Sequence, residues 1–454
     1  MSKMNLSPNY AKMHEWETYQ AQLAIEYQQC FEEGLDIAPY EALFKAVAEL
    51  DRGEMKEKLS DVCFQIVQSL PMRDDADLWE PDDLSEIREA SDGWQAAQAM
   101  PDMNELSEKV RGAWLGRICG CLLGKPFEGK MTEDFVPLLK ATDNYPLHRY
   151  LTKQDLLTHP AEKFKVADLT SMLADTIECA PVDDDTNYTV MAGEIIERYG
   201  RNFTPENVAQ AWLTLQGKDA YCTAERVAYR NFVAGYRPPQ SAHYKNPYRE
   251  WIGAQIRTDY YGYINPGNPT LAAEMAWRDA SISHTKNGIY GAMYAAALVA
   301  AAAVCTNVYD IIHAAIAQIP VKSRLYRAVE RMVKMHQQGI PVESVFEDIH
   351  GRYDQHNWHD WTHTISNAEI VTAALLYGFE TFEASVGLAV QHGFDTDCNG
   401  ATVGSVVGMY YGADAIDAAW TAPLQGVLNT SIFGVGKITI DDLVKRTIKH
   451  LESR

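Results

Sequence analysis

An all-α fold is predicted for this chain by three observations. Apolar residues recur at helical spacing in segment after segment, with proline and glycine between them. No alternating run is long enough to read as a sheet. Two segments carry glycine at every fourth position: Gly112, Gly116, Gly120 and Gly124 in RGAWLGRICGCLLG, and Gly400, Gly404, Gly408 and Gly412 in HGFDTDCNGATVGSVVGMYYG. A mid-helix glycine costs about 0.5–1 kcal/mol relative to alanine. Four on one face are tolerated where another backbone packs very close. The two ladders are therefore expected to pack against each other or against one shared neighbour.

The chain's 454 residues suffice for one large or two ordinary domains. A net charge of -22 argues against nucleic acid or an anionic membrane as partner and fits a protein that holds cations. Eight cysteines in this length make no disulfide framework. Reduced thiols in a cytoplasm are expected. The opening MSKMNLSPNYAKMHEWETYQ is polar and reads as no secretory signal. The most apolar stretch, 288–304, is alanine-rich, uncharged and slightly short for a membrane span. Its small residues predict a tightly packed core helix.

In chain order, residues 1–104 read as an acidic helical extension and 105–454 as the main domain. The first hundred residues hold 8 Lys/Arg against 21 Asp/Glu. Segments 19–31, 40–50 and 55–70 have helical spacing, punctuated by Pro39, Gly53 and Pro71. The very acidic stretch 73–89 is expected to be partly exposed. The plain reading of the extension is a solvated helical cap. The functional readings are a lid over a cleft or an oligomer contact.

In the main domain, the first ladder stops at Lys125-Pro126-Phe127-Glu128-Gly129, which puts Glu128 at a helix end. Segment 129–180 reads as irregular. Asp183, Asp184 and Asp185 precede a helix over 187–199 and gain from its macrodipole, but repel one another; one suffices as N-cap. The Gly/Pro/Asn-rich stretch 251–269 reads as loop. Helices follow over 272–303, with a turn at Ser283-His284-Thr285, and over 308–338, broken near Pro320. Helices at 367–377 and 382–390 lead into the second ladder, and an amphipathic helix ends the chain at 438–451.

Three acidic points lie at the ends of these helices: Glu128, Asp183 to Asp185, and Asp395 with Asp397. Close packing of the helices would gather them. Gathered carboxylates repel strongly unless hard divalent cations sit among them, which points to Mg²⁺ or Mn²⁺, with Ca²⁺ possible. The ligands suffice for two ions, about 3.5–4 Å apart if bridged. The plain alternative for each cluster is a solvated helix cap. No P-loop, G-x-G-x-x-G or H-E-x-x-H is present. His356, His359 and His363, in HNWHDWTH with Trp358 and Trp361, read as surface or cleft-wall residues.

The motifs GAWLGRICGCLLGKPFEG, DDDT, SHTKNGIYGAMYAAALVAAA and FDTDCNGATVGSVVGMYYG, in that order over roughly 110–412, resemble the ADP-ribosylglycohydrolases. The resemblance implies an orthogonal helix bundle with a binuclear Mg²⁺ or Mn²⁺ centre. It implies hydrolysis of the glycosidic bond between ADP-ribose and a side chain, or of a related conjugate, so the substrate is a small molecule or an ADP-ribosylated protein. Glu128, Asp184 and Asp185 are the implied catalytic residues. Asp183, Asp184, Asp185, Asp395, Asp397 and Cys398 are the implied metal ligands. Two positions depart from the family: Asp183 stands for a threonine, and Cys398 for a threonine or serine. Gly253, Gln255 and Arg257 occupy the family's phosphate- and ribose-holding loop, and His284 matches a family histidine. His363 and Asn367 are candidates for the cleft lining, and Tyr260, Tyr261 and Tyr263 for stacking on a base. Alternative readings are a nucleosidase-like hydrolase of another small ribosyl compound, or a non-catalytic relative that binds ADP-ribose or, through the acidic N-terminal helices, a partner.

Overall fold

Glycine repeated on one helix face removes the side chains that keep backbones apart, and the fold is built on that gap. The computed structural model describes residues 8–94, 99–158 and 172–453. Helix Met103–Gly124 packs antiparallel on helix Thr396–Tyr411. A methyl added to Gly116 would lie 2.0 Å from the Gly404 carbonyl oxygen, and one on Gly120 1.9 Å from that of Gly400. The ladders thus pack against each other, as the sequence predicts. Asp102 starts the first helix, its carboxylate accepting hydrogen bonds from the amides of Asn104 and Glu105 at 2.9 and 3.0 Å. Asp102→Ala is expected to cost about 1 kcal/mol, read as a lower urea midpoint.

The alanine-rich helix Lys286–Ala302 is buried along almost its whole length. Its small side chains let Pro269–Ala280 and Asp259–Tyr263 come close: a Cβ on Gly262 would lie 2.6 Å from the Ala296 carbonyl oxygen. The C-terminal helix Ile440–Glu452 is tied to the first ladder by Trp114 Nε1, which donates to Thr447 Oγ1 at 3.0 Å. Among the described residues, no helix is long and apolar enough to cross a membrane.

Three expectations are corrected. Stretch 251–269 is not a loop: it forms a 3₁₀ helix, Ile252–Arg257, and the short helix Asp259–Tyr263, both wholly buried. Tyr260, Tyr261 and Tyr263 do not face a ligand, because their hydroxyls bond His450 Nδ1 at 2.6 Å, Asp279 Oδ2 at 2.7 Å and Ser405 Oγ at 2.7 Å. Segment 129–180 contains helices Thr132–Ala141 and Lys153–Thr158; its positions 159–171 lie outside the described residues. A two-stranded antiparallel ladder, Val427–Asn429 with Lys437–Thr439, is too short to show as alternation in sequence.

The extension gathers around a small core that includes Tyr19, Leu23, Phe44 and Phe64. Much of its acidity serves the junction. Arg249 pairs with Glu26 at 2.7 Å and Glu33 at 2.6 Å, Lys286 with Glu33 at 2.6 Å, and Arg324 with Glu80 at 2.8 Å. Glu26, Glu33 and Glu80 are buried by these contacts, so a merely solvated cap does not describe this segment.

Candidate active site

The antiparallel ladders decide where the acids meet. The end of the first helix lies beside the start of the second, and Thr396 Oγ1 donates to the Gly124 carbonyl at 2.9 Å. Pro126, in the 3₁₀ turn Lys125–Phe127, ends the first helix and leaves Glu128 at the cleft mouth. Phe394, at φ 57°, turns the chain so that Asp395 and Asp397 stand at the start of the second. Asn367 Oδ1 fixes that turn by accepting from the Asp395 amide at 3.1 Å and from Asn399 Nδ2 at 2.8 Å. Asp183 is the cap among the three aspartates, accepting from the Asp185 amide at 3.0 Å. Asp184 lines the cleft, and Asp185 is wholly buried.

Two cations were not foreseen in this cluster. The Lys125 ammonium lies 2.6 Å from Glu128 Oε2, 2.7 Å from Asp183 Oδ2 and 3.0 Å from Asp397 Oδ2. Arg117, wholly buried, reaches Asp185 Oδ1 at 3.2 Å and Asp259 Oδ2 at 2.8 Å. They do not balance the acids. Burial, then the charge of Asp397, pushes the Asp395 carboxyl far above the carboxylate range. Burial outweighs Arg117 at Asp185, which also rises far above that range. Burial and Asp183 push Asp184 up to about 7, and burial and Asp397 push Glu128 up to about 8. Asp183 moves the other way: burial opposes it, but Lys125 holds it low. Burial and the surrounding carboxylates also keep the Cys398 and Cys121 thiols protonated.

The donor set suits a divalent cation. Asp185 Oδ2 and Asp397 Oδ1 are buried with no hydrogen-bond partner. Ligand atoms of Asp185, Asp397 and Cys398 lie within 4.8 Å of one another, as do those of Cys121, Asp183 and Asp185. Carboxylates dominate, which favours a hard ion over one that needs thiolates. Binding must displace protons held by the raised carboxyls. Because Asp185 and Asp395 hold their protons far above the carboxylate range, the affinity for Mn²⁺ is expected to fall about tenfold per pH unit, per proton displaced, as pH falls through neutrality. Calorimetry across that range reads it directly.

Above these acids opens a cleft of about 570 Å³, lined by Glu128, Asp184, Asp395, Cys398 and Gly253 among the predicted residues. Asp183, Asp185 and Asp397 are buried and do not line it. Gly253 has no room for a side chain: a Cβ there would lie 2.1 Å from Glu225 Oε1.

The other predicted substrate contacts are not on the wall. Arg257 is buried between Glu225 and Asp279, over the Trp212 ring at 5.0 Å. Gln255 is buried against the helix that carries Gly291. His284 is buried beside Ser283 Oγ at 2.8 Å, and burial keeps it neutral. His363 caps helix Thr364–Gly378, accepting from the Ile365 amide at 3.1 Å, and faces Glu250 at 3.4 Å. Arg257 and His363 have partners beneath the wall, whereas Gln255 Oε1 and His284 Nε2 are buried there without a hydrogen-bond partner.

Of the three nearby histidines, only His356 is on the surface. His359 Nδ1 accepts from Trp251 Nε1 at 3.1 Å, which leaves Nε2 as the protonated nitrogen, 3.2 Å from Glu32. Glu32, His359 and His363 are close enough together to suggest a metal site, but that tautomer offers no lone pair to an ion.

Fold and site together define an all-α protein with a buried acidic centre beneath a cleft. Residues 102–453 match the ADP-ribosylglycohydrolase family, and the chain belongs to that family. A solved structure described as an ADP-ribosylglycohydrolase-related protein complex is similar at 18% identity and a TM-score of 0.47, covering 77% of this chain and 99% of that one. No curated protein matches the chain.

Proposed function

We propose that this protein is a cytoplasmic, divalent-metal-dependent hydrolase that cleaves the ribosyl glycosidic bond of ADP-ribosylated side chains or a related ADP-ribose conjugate. The observation that carries the reading is the convergence of Glu128, Asp183 to Asp185, and Asp395 with Asp397 at one cleft, from three separate parts of the chain. Family membership supports glycosidic hydrolysis as the reaction class.

Asp183, Asp185, Asp395 and Asp397, with Cys398 beside them, would hold Mg²⁺ or Mn²⁺, and two ions are the fuller complement. The bound metal supplies Lewis-acid polarisation of water and sugar hydroxyls. Glu128 and Asp184 line the cleft and can each carry a proton near neutral pH. One donates to the departing atom while the other takes a proton from the attacking water. The anionic surroundings favour the oxocarbenium-like character that develops on the ribose. Lys125 holds Glu128 in place from the side.

The test is turnover of ADP-ribosyl-arginine, ADP-ribosyl-serine and simple nucleosides with Mn²⁺ or with chelator. Metal-dependent release of the ribosyl group is expected from at least one. Asp184→Ala should lower the rate by about 10²–10⁴-fold in a protein whose circular dichroism is unchanged. Full activity in that variant, or activity indifferent to chelator, would overturn the assignment.

A further inference from the structure

Part of the cleft wall comes from outside the family-matched region. Glu15, Trp16, Gln22 and Ile25 of the N-terminal extension line it. Trp16 sits in the 3₁₀ turn Glu15–Glu17, whose cap is the His14 side chain accepting from the Trp16 amide at 3.3 Å. Trp16 and Ile25 pack against the cluster of Ala224, Val227, Tyr248 and Trp251. The Arg226 guanidinium stands 6.0 Å from the Trp16 ring centre and is anchored by Glu17 at 2.7 Å. Gln22 stands directly before helix Leu23–Glu32, which Glu26 ties to Arg249 of the main domain at 2.7 Å. Both side chains are therefore carried on backbone that is fixed to the main domain.

Unpaired polar groups make this wall a ligand site. Gln22 is only 6% exposed and lines the cleft, and its carboxamide makes no hydrogen bond within the described residues. Tyr188 Oη and Tyr248 Oη, in the same lining, are buried without partners. Buried polar groups are nearly always paired, so these groups await a partner that the chain does not provide. Position along the cleft says which part of a ligand meets them. Trp358 belongs to the acid end: a Cβ on Gly129 would lie 3.8 Å from its ring, next to Glu128. The Trp16 group lies past Gly253, where Glu225 meets the Gly253 position and the following residue, Arg226, reaches Trp16. A ribose held at the carboxylates leaves this group for the other end of the same molecule. A cleft of about 570 Å³ is in the range that encloses a whole small ligand. In an ADP-ribose conjugate that other end is adenine. Its flat face suits an aromatic ring. Its exocyclic amine and N7 match the oxygen and the NH₂ of a carboxamide.

We propose that the extension builds the base-reading end of the cleft. Trp16 covers the face of the adenine, while Gln22 accepts from its exocyclic amine through Oε1 and donates to its N7 through Nε2. This rests on the glycosidic-hydrolase reading for placing the ribose at the carboxylates, with the diphosphate between the two ends. It deepens that reading by giving substrate specificity to residues outside the family-matched region.

Calorimetry on the full chain with Mn²⁺ tests it with three probes. ADP-ribose carries every group, inosine diphosphate ribose has a carbonyl in place of the exocyclic amine, and ribose 5-phosphate lacks the nucleoside. ADP-ribose is expected to bind about tenfold tighter than either of the others, or more. Trp16→Ala should weaken ADP-ribose about tenfold with ribose 5-phosphate and Mn²⁺ affinities unchanged, and Trp16→Phe should restore most of the loss. Gln22→Ala should bring ADP-ribose and its inosine counterpart to about equal affinity. An unchanged ADP-ribose affinity in Trp16→Ala, an equal weakening of all three probes, or a parent chain that binds the inosine probe as tightly as ADP-ribose would overturn the proposal. Binding is read apart from turnover. A chain that reads the base as expected yet cleaves no ribosyl bond defeats the hydrolase reading alone.

Discussion

A Gly404→Val chain is expected not to accumulate as folded protein. Even the first added carbon would lie 2.1 Å from the Gly116 carbonyl oxygen, inside any real contact distance. That neighbour is backbone in a buried helix, so no flexible side chain can swing aside. The facing helix is pinned in turn by Gly120, whose own Cβ position lies 1.9 Å from the Gly400 oxygen. Relief requires the two helices to separate along their length, which would open the centre of the core and pull apart the helix ends that carry the acids. Overpacking usually costs about 1–3 kcal/mol where side chains can shift. Here the loss should exceed about 4 kcal/mol, the range reached only by severe core disruption. Gly351→Ala is the control. It is also a helical glycine, in Val342–Arg352, but nothing lies within 4 Å of its added carbon. That substitution should raise stability by about 0.5–1 kcal/mol in urea unfolding. A Gly404→Val protein within about 1 kcal/mol of the parent would refute backbone-to-backbone packing of the ladders.

The same contrast explains which features were legible in the sequence. Glycine in a helix is locally unfavourable, so a regular run of it needs a reason, and the reason was a neighbouring backbone. Acids at helix ends were legible for a similar cause: one N-cap is useful, and three consecutive aspartates exceed it. Asp183 became the cap, while Asp184 and Asp185 went to the cleft and to its floor. Long-range pairing could not be read in this way. Arg257 in a loop-like string resembles a ligand-binding arginine until its partners are known, and these stand 32 and 22 residues away in Glu225 and Asp279. Lys125 was visible beside the helix-ending proline, yet nothing local said that its ammonium would reach Asp397, 272 positions on. The extension showed its charge but not that Arg249 would bury Glu26 and Glu33. Trp16 gave no signal that it would line the cleft, because its place there depends on a turn packing against the cluster of Ala224, Val227, Tyr248 and Trp251.

Asp397→Asn is expected to separate stability from function. Asp397 is buried, with Oδ1 unpartnered, and its charge raises the carboxyls of Asp395, Asp185, Asp184 and Glu128 together. Without metal, its buried charge is what disfavours ionisation of these neighbours, in a cluster served by Lys125 and Arg117. The isosteric amide keeps the shape and removes the repulsion, so metal-free protein should gain about 0.5–2 kcal/mol, of the order found when a strained functional site is relaxed. Lys125 loses one of three carboxylates but retains Glu128 and Asp183. Function should move the other way. A neutral amide is a weaker ligand for a hard cation, and the remaining raised carboxyls must still release protons before they can bind. The loss of second-partner charge should cut Mn²⁺ affinity by about 10²-fold and turnover by at least the same factor. Differential scanning calorimetry with and without Mn²⁺ reads both effects. The parent should show a large metal-induced rise in melting temperature, while Asp397→Asn should start higher and rise little. A variant that starts lower without metal and still shows the parent's full metal-induced rise would remove Asp397 from the centre. The identity of the ligands would then shift toward the Cys121, Asp183 and Asp185 set on the other side of the floor.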